Sequence, residues 1–246
     1  MSYISFNNFN LSYDKNVIFK NITFNIEKNS LTSVTTPSSK GKSTLLNIIK
    51  NYNEYSNIKI NDKNIKIGFI NNNIKFFSKT VYEELYSVNN DIKIIKKYLK
   101  EFNLTKILKL PISDLNYVTL QKINLIKILL NGNNIILIDN IFPYFDKYSK
   151  IEYIGFLKKY QLENNLTIIY TASNLEDIIF SDNVVIIDKE ILYCGNIDKI
   201  YCNDKLLKKS KLNIPIENEL IEKLKLYDVI DKTTYTIDEV VKEICK

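Results

Sequence analysis

Residues 36–44, Thr-Pro-Ser-Ser-Lys-Gly-Lys-Ser-Thr, carry the side chains of this chain best suited to holding a phosphate. Such a loop needs glycine so that successive backbone N–H groups can curl around phosphate oxygens. It then needs lysine for the β- and γ-phosphates and a hydroxyl for Mg²⁺, in the pattern G-x-x-x-x-G-K-S/T. Gly41, Lys42 and Ser43 satisfy the end of that pattern, and Thr36 replaces its first glycine. The expected nucleotide contacts are Ser38, Ser39, Lys40 and Gly41 through their backbone, Lys42 through its ammonium, and Ser43 and Thr44 at the head of the following helix. A Gly-Lys-Ser triplet also occurs in ordinary exposed loops, so the reading depends on its surroundings.

A second chemical position stands downstream. Residues 135–138 form an aliphatic run that ends in Asp139. Behind a phosphate loop, a strand-end carboxylate shares Mg²⁺ with the loop hydroxyl, which pairs Asp139 with Ser43. A solvent-facing strand-end aspartate is the plain alternative.

The elements that must position these groups can be read from hydrophobic periodicity. Residues 3–28 alternate apolar and polar side chains, as antiparallel strands with one buried face do. Residues 31–34 read as a buried strand and 43–50 as a helix, so the helix N-terminus with its positive dipole end points at the loop. Residues 57–71 read as short strands and 80–131 as mostly helical, with Thr80 and Glu83 forming a capping box. Strands at 135–138, 166–170 and 184–187 then alternate with helices at 146–160 and 175–180, which implies a parallel sheet covered on both faces. The last fifty residues read as short helices.

Composition narrows the chemistry. Histidine is absent, so no imidazole serves as base, ligand or phosphate sensor. The chain has 5 glycines where typical usage gives about 17, a pattern of mutational bias in which a missing motif glycine need not mean a new function. The formal net charge of +6 is spread over lysines without a basic stripe interleaved with aromatics, which argues against a nucleic-acid partner. Cys194, Cys202 and Cys245 are odd in number and lack metal-ligand spacing, as free thiols in a reducing cytoplasm would. No signal-peptide pattern is present, and no apolar run approaches the roughly 18–20 residues that span a bilayer. Any membrane association is therefore expected through a partner.

With the phosphate loop and Asp139 in place, the chain resembles the ATP-binding subunits of ABC transporters, from its first strands to its C-terminus. That resemblance implies an α/β fold of the P-loop NTPase, RecA-like kind: a mostly parallel sheet, an N-terminal antiparallel β subdomain, a helical subdomain near 75–133 and a helical tail. A nucleotide-binding domain is expected over 1–200 and a C-terminal extension over 201–246. The family stacks an aromatic residue on adenine, and Tyr13 occupies the matching place, with a core tyrosine as the alternative. The family's glutamine loop falls on Asn72, one methylene shorter, as a ligand to Mg²⁺ or water. Residues 78–85 resemble the stretch that lies close to the membrane subunit.

Other family positions depart from the pattern. The signature L-S-G-G-Q aligns with Leu-Asn-Tyr-Val-Thr at 115–119; Leu115 is retained, Asn116 replaces serine, and Tyr117 and Val118 replace glycines whose lack of side chains permits close approach. The glutamate that polarises the attacking water falls on Asn140, whose amide orients water but does not accept its proton at neutral pH. The switch histidine falls on Ala172 or Ser173. Asp146 matches the aspartate of the dimer-contact loop, and a helix N-cap accounts for it equally well.

The tail segments 195–201, 204–207, 212–215 and 236–240 resemble the C-terminal region of energy-coupling-factor (ECF) transporter ATPases. The resemblance implies a head-to-tail dimer with a second ABC ATPase subunit, beneath a transmembrane coupling subunit that carries a substrate-binding component for a vitamin or metal ion. Each nucleotide site of such a dimer joins the loop and strand-end acid of one chain to the signature of the other. Asn140 therefore impairs one site and residues 115–119 the other. The competing reading is a nucleotide-binding or purely structural subunit without ATPase activity. A soluble P-loop kinase or GTPase fits poorly, because the chain has no N-K-x-D base-recognition motif.

Overall fold

The computed structural model describes residues 2–14, 16–37, 41–178, 180–201, 224, 227 and 240–242. Alternating side chains produce the N-terminal layer as expected: β1 (Ser2–Tyr13) and β2 (Asn16–Glu27) pair antiparallel, and β4 (Ile58–Ile60) joins the free edge of β1. The inward residues Ile4, Phe6, Phe9, Phe19, Ile22, Phe24 and Ile26 are all buried, and Phe6 stacks on Phe24 with ring centroids 4.6 Å apart.

The second sheet has six strands in the order β5-β6-β7-β3-β8-β9. Its members are β3 (Leu31–Thr35), β5 (Ile67–Asn71), β6 (Ile135–Asp139), β7 (Thr167–Thr171), β8 (Asn183–Ile187) and β9 (Ile191–Asn196). The first five run parallel and β9 returns antiparallel on β8. This is the α/β fold with a mostly parallel sheet. The edge strand β9 was not expected from the sequence: Ile191 to Asn196 mixes aliphatic, aromatic and polar side chains without period, and its strand state comes from pairing with β8.

Both faces of this sheet are buried, which explains the unbroken aliphatic runs. Ile136 and Ile138 point into one core with Ile168, Tyr170 and the helices α4 (Tyr117–Leu130) and α5 (Lys147–Asn164). Ile135 and Leu137 point into the other, with Val34, α1 (Lys42–Lys50) and the N-terminal sheet. Between β5 and β6 lie α2 (Val81–Tyr86), α3 (Ile92–Glu101) and α4. The Thr80–Glu83 capping box opens α2 as the sequence predicts. Contact between α4 and β5 is close: a Cβ on Gly68 would stand 2.5 Å from Ile128 Cγ2, so only glycine fits there.

The scarcity of glycine has a structural counterpart. Among the described residues, seven non-glycine residues adopt left-handed backbone, and all but Asp14 are asparagine: Asn8, Asn21, Asn29, Asn103, Asn140 and Asn165. Asparagine tolerates this region better than other residues with a side chain. Asn165, for example, closes α5 at φ 52°, where helices ordinarily end on glycine. The helix expected over 175–180 is the single turn α6 (Leu175–Ile178), and α7 (Asp198–Tyr201) follows β9. The tail segments at 204–207, 212–215 and 236–239 lie outside the described residues.

Candidate functional site

Four neighbouring strands, β5, β6, β7 and β3, release their chains at the same edge of the sheet, because they are parallel. In open α/β sheets that carboxyl edge is where ligands bind. Asn71 sits opposite Asp139 in the β5–β6 register, and Val34 opposite Thr171 in β3–β7. The sheet register therefore brings Asn72, Asp139, Thr171 and the loop after Thr35 to one end of the molecule.

The loop enters α1 through Gly41, whose φ of 94° is the N-cap conformation of that helix. A Cβ there would meet the Phe19 ring of β2 at 3.2 Å, so both the dihedral and the space call for glycine. Gly41, as N-cap, offers no side chain to the first N–H groups of α1, and among the described residues no side-chain cap is found there. Thr36, in place of the first motif glycine, is buried with its hydroxyl unpartnered, as is the Thr35 hydroxyl beside it. Ser38, Ser39 and Lys40 lie outside the described residues. Thr44 is half-buried in the first turn of α1.

Beneath this helix end the predicted pair meets: Ser43 Oγ donates to Asp139 Oδ1 at 3.0 Å across 96 residues of sequence. Burial pushes the Asp139 carboxyl above its ordinary value, and hydrogen bonds from the Ser43 and Thr171 hydroxyls and the Lys42 charge offset part of that rise. Lys42 Nζ donates to the Ala172 carbonyl at 3.0 Å and to Ser173 Oγ at 3.1 Å. Burial lowers the Lys42 ammonium, and Asp139 and Asp177 counter the shift. The residues Ala172 and Ser173, reached in the sequence as the place of a missing histidine, thus hold the Lys42 ammonium instead.

Asn140 follows Asp139 with φ 53° and is exposed; its N–H donates to Thr171 Oγ1 at 2.7 Å. Left-handed backbone is itself a reason for an asparagine at this position. Asn72 is exposed and its Nδ2 approaches Tyr144 Oη at 3.5 Å, on the side of Asp139 away from β7. Tyr13 ends β1 at the hairpin, 57% exposed, so it is a surface ring and not the core tyrosine that was its alternative. Cys194 is a free, exposed thiol. Among the described residues there is no cluster of three His, Cys, Asp or Glu side chains that forms a metal site by itself. Ser43 and Asp139 nonetheless fit Mg²⁺, which takes one or two protein oxygens and fills its shell with water and phosphate.

The expected dimer-contact residues sit differently. Asn116 is the N-cap of α4, its Oδ1 accepting from Thr119 N at 2.9 Å, and Leu115 is half-buried against the core. Asp146 is the N-cap of α5, accepting from Ser149 N at 3.0 Å and Ser149 Oγ at 2.6 Å, and these bonds hold its carboxyl below the ordinary value. Tyr117, in a glycine position of the signature, folds onto its own chain: its ring lies 5.3 Å from that of Tyr144 and 6.0 Å from that of Phe145. Gln121 Nε2 donates at 2.8 Å both to Tyr117 Oη and to the Asn71 carbonyl. Sequence reading missed this bracing, because Asn71 and Tyr144 lie far along the chain from the Tyr117–Gln121 pair of α4.

Comparison with known proteins agrees with the geometry. The family described as "ABC transporter" matches residues 19–142. The zinc import ATP-binding protein ZnuC of Ehrlichia ruminantium is 27% identical over 213 residues, covering 83% of this chain and 88% of that protein. The energy-coupling factor transporter ATP-binding protein EcfA of Pediococcus pentosaceus is 25% identical over 227 residues, covering 83% and 81%. Among solved structures, cbiO1 from Clostridium perfringens, part of the ABC transporter complex cbiONQ, superposes with a TM-score of 0.74 at 20% identity, covering 90% of this chain and 100% of that one. At that identity the likeness establishes the fold.

Proposed function

The chain belongs to the ABC transporter family, and from that premise we propose that it is the ATP-binding subunit of an ECF-type importer for a vitamin or metal ion. The observation that carries the nucleotide reading is the Ser43–Asp139 contact at 3.0 Å, one residue beyond Lys42. In this reading the N-terminal 200 residues form the nucleotide-binding domain, with 75–133 as its helical part. Tyr13 stacks adenine, and the backbone of 38–41 cradles the phosphates. Lys42 neutralises β- and γ-phosphate charge, and Ser43 and Asp139, with Asn72 nearby, hold Mg²⁺. Mg²⁺ supplies charge neutralisation between the phosphates when bound. The protein's own part is to bind and orient: the α1 N-terminus, whose N-cap is glycine, faces anionic oxygens, and the Ala172 and Ser173 acceptors hold Lys42 beside them.

No described helix is long and apolar enough to cross a membrane. Contact with the bilayer in this reading runs through a transmembrane coupling subunit, and the second ATPase chain docks on the face of Leu115, Asn116 and Asp146. The relatives named for energy-coupling factor and zinc import support the transport assignment and leave the cargo at the class level.

A second reading, a nucleotide-binding subunit that supports an active partner without turning over ATP itself, is favoured by Asn140. Mg-ATP affinity and single-turnover hydrolysis of the purified chain, with Lys42→Ala as control, separate the possibilities. Binding that depends on Lys42 with hydrolysis at background supports the second reading. Lys42-dependent hydrolysis supports a working motor. Binding indifferent to Lys42 overturns both.

A further inference from the structure

Asp177 is a buried carboxylate, 2% exposed, to which the nucleotide reading assigns no task. Its Oδ2 accepts from the backbone N–H of Ser173 at 3.2 Å and of Asn174 at 3.3 Å. Its Oδ1 accepts from Lys150 Nζ of α5 at 2.6 Å, and its own carbonyl accepts from Tyr170 Oη of β7 at 2.6 Å. One residue thus ties the segment leaving β7 to β7 itself, to α6 and to α5. A carboxylate so far from water is tolerable only with this full set of donors, since an unpaired buried charge is strongly destabilising.

What Asp177 holds is the segment that holds Lys42. Ala172 supplies its carbonyl and Ser173 its hydroxyl to Lys42 Nζ, at 3.0 and 3.1 Å. Ala172 N in turn donates to Val34 O at 2.8 Å, which anchors the segment to the strand that precedes the phosphate loop. A lysine side chain has four rotatable bonds and loses much freedom when it must meet a phosphate; acceptors that fix it beforehand lower that cost.

We propose that Asp177 is a positioning residue for nucleotide binding: it fixes residues 172–174 so that the Ala172 carbonyl and the Ser173 hydroxyl hold the Lys42 ammonium at the mouth of the phosphate loop. Lys150 completes the device by balancing the buried carboxylate from α5. The inference rests on the reading of Lys42 as a phosphate ligand.

A double-mutant cycle on Mg-ATP affinity of the full chain tests it, with urea unfolding of each variant measured alongside. Lys42→Ala is expected to weaken binding by at least about tenfold, and Asp177→Ala by about threefold to tenfold. The double variant is expected to bind no more weakly than Lys42→Ala alone, because Asp177 acts through the lysine. If the Asp177→Ala loss is the same with and without Lys42, or is absent, Asp177 serves the fold alone and the proposal is overturned while the nucleotide reading stands. If Lys42→Ala binds like the parent chain, the nucleotide reading itself falls, and this proposal with it. Should Asp177→Ala not fold, Asp177→Asn keeps an oxygen for the two N–H groups, drops the charge that faces Lys150, and carries the same cycle.

Discussion

The carboxyl end of the sheet and the face formed by the starts of α4 and α5 carry the residues proposed for the nucleotide and for the partner chain, and the two regions treat their side chains in opposite ways. At the first, Lys42 and Ser43 at the start of α1 meet Asp139 at the end of β6 and Ala172 and Ser173 beyond β7, three separate parts of the chain. At the second, Asn116 and Asp146 bend back to cap their own helices, and Tyr117 lies on Tyr144 and Phe145 of the same chain. Convergence of groups too far apart in sequence to help each other's local structure is the mark of a ligand site. Side chains turned onto their own helix ends serve the fold. In the proposed reading the first region holds the nucleotide, and the second offers a partner's nucleotide less than a glycine-bearing signature would.

The largest predicted effect is a control on that contrast, away from both regions. Glu84 is buried, bonded to Lys127 and to the N–H groups of Phe77 and Ser78. Glu84→Ala leaves Lys127 without its partner and is expected to cost about 3–5 kcal/mol of unfolding free energy in urea melts. In the fraction that remains folded, Mg-ATP affinity should be unchanged; a parallel loss would mean that the helical part and the sheet end are not separable. Burial raises the Glu84 carboxyl, and Lys127 with the two N–H donors outweighs it, leaving the native value below the ordinary one. Its stabilising contribution is therefore present above the unfolded carboxylate range and lost as pH falls through the lowered native value. The Ala variant should show less acid-induced loss over that window.

Tyr117→Ala removes the brace to Tyr144 and is expected to cost about 1–2 kcal/mol of stability, read by thermal unfolding, without weakening nucleotide binding by the isolated chain. A loss of affinity would join the two regions that the comparison separates. Asn140→Glu places a less suitable residue at φ 53°, for about 1 kcal/mol. It should raise single-turnover hydrolysis above background if the missing base is the principal defect, and unchanged hydrolysis would move the defect elsewhere. The smallest effect is Asn116→Ala, where loss of the α4 cap is expected to cost about 0.5–1 kcal/mol and to leave Mg-ATP affinity as it was.

What was legible in the sequence was local or periodic. The Gly41-Lys42-Ser43 run, the aliphatic strand ending at Asp139 and the Thr80–Glu83 capping box each lie within a few residues, and all appear where expected. Strand β9 was hidden because its state depends on β8. The Lys42–Ala172 and Gln121–Asn71 bonds were hidden because each follows from how elements stack. One missed signal was readable: in a chain this poor in glycine, asparagine is the residue expected at left-handed positions, and Asn140 belongs to that set. Its lack of a carboxylate and its backbone role cannot be told apart in sequence and become distinct only when φ is known.

The most direct test of the account is the affinity of the full chain for ATP with Mg²⁺ and with chelator in its place, for the parent chain and for Asp139→Asn. The parent chain is predicted to bind ATP more tightly with Mg²⁺, and Asp139→Asn to lose that difference. A Mg²⁺ dependence that survives Asp139→Asn unchanged, or that is absent from the parent chain, would contradict the claim that Ser43 and Asp139 form the metal end of a nucleotide site.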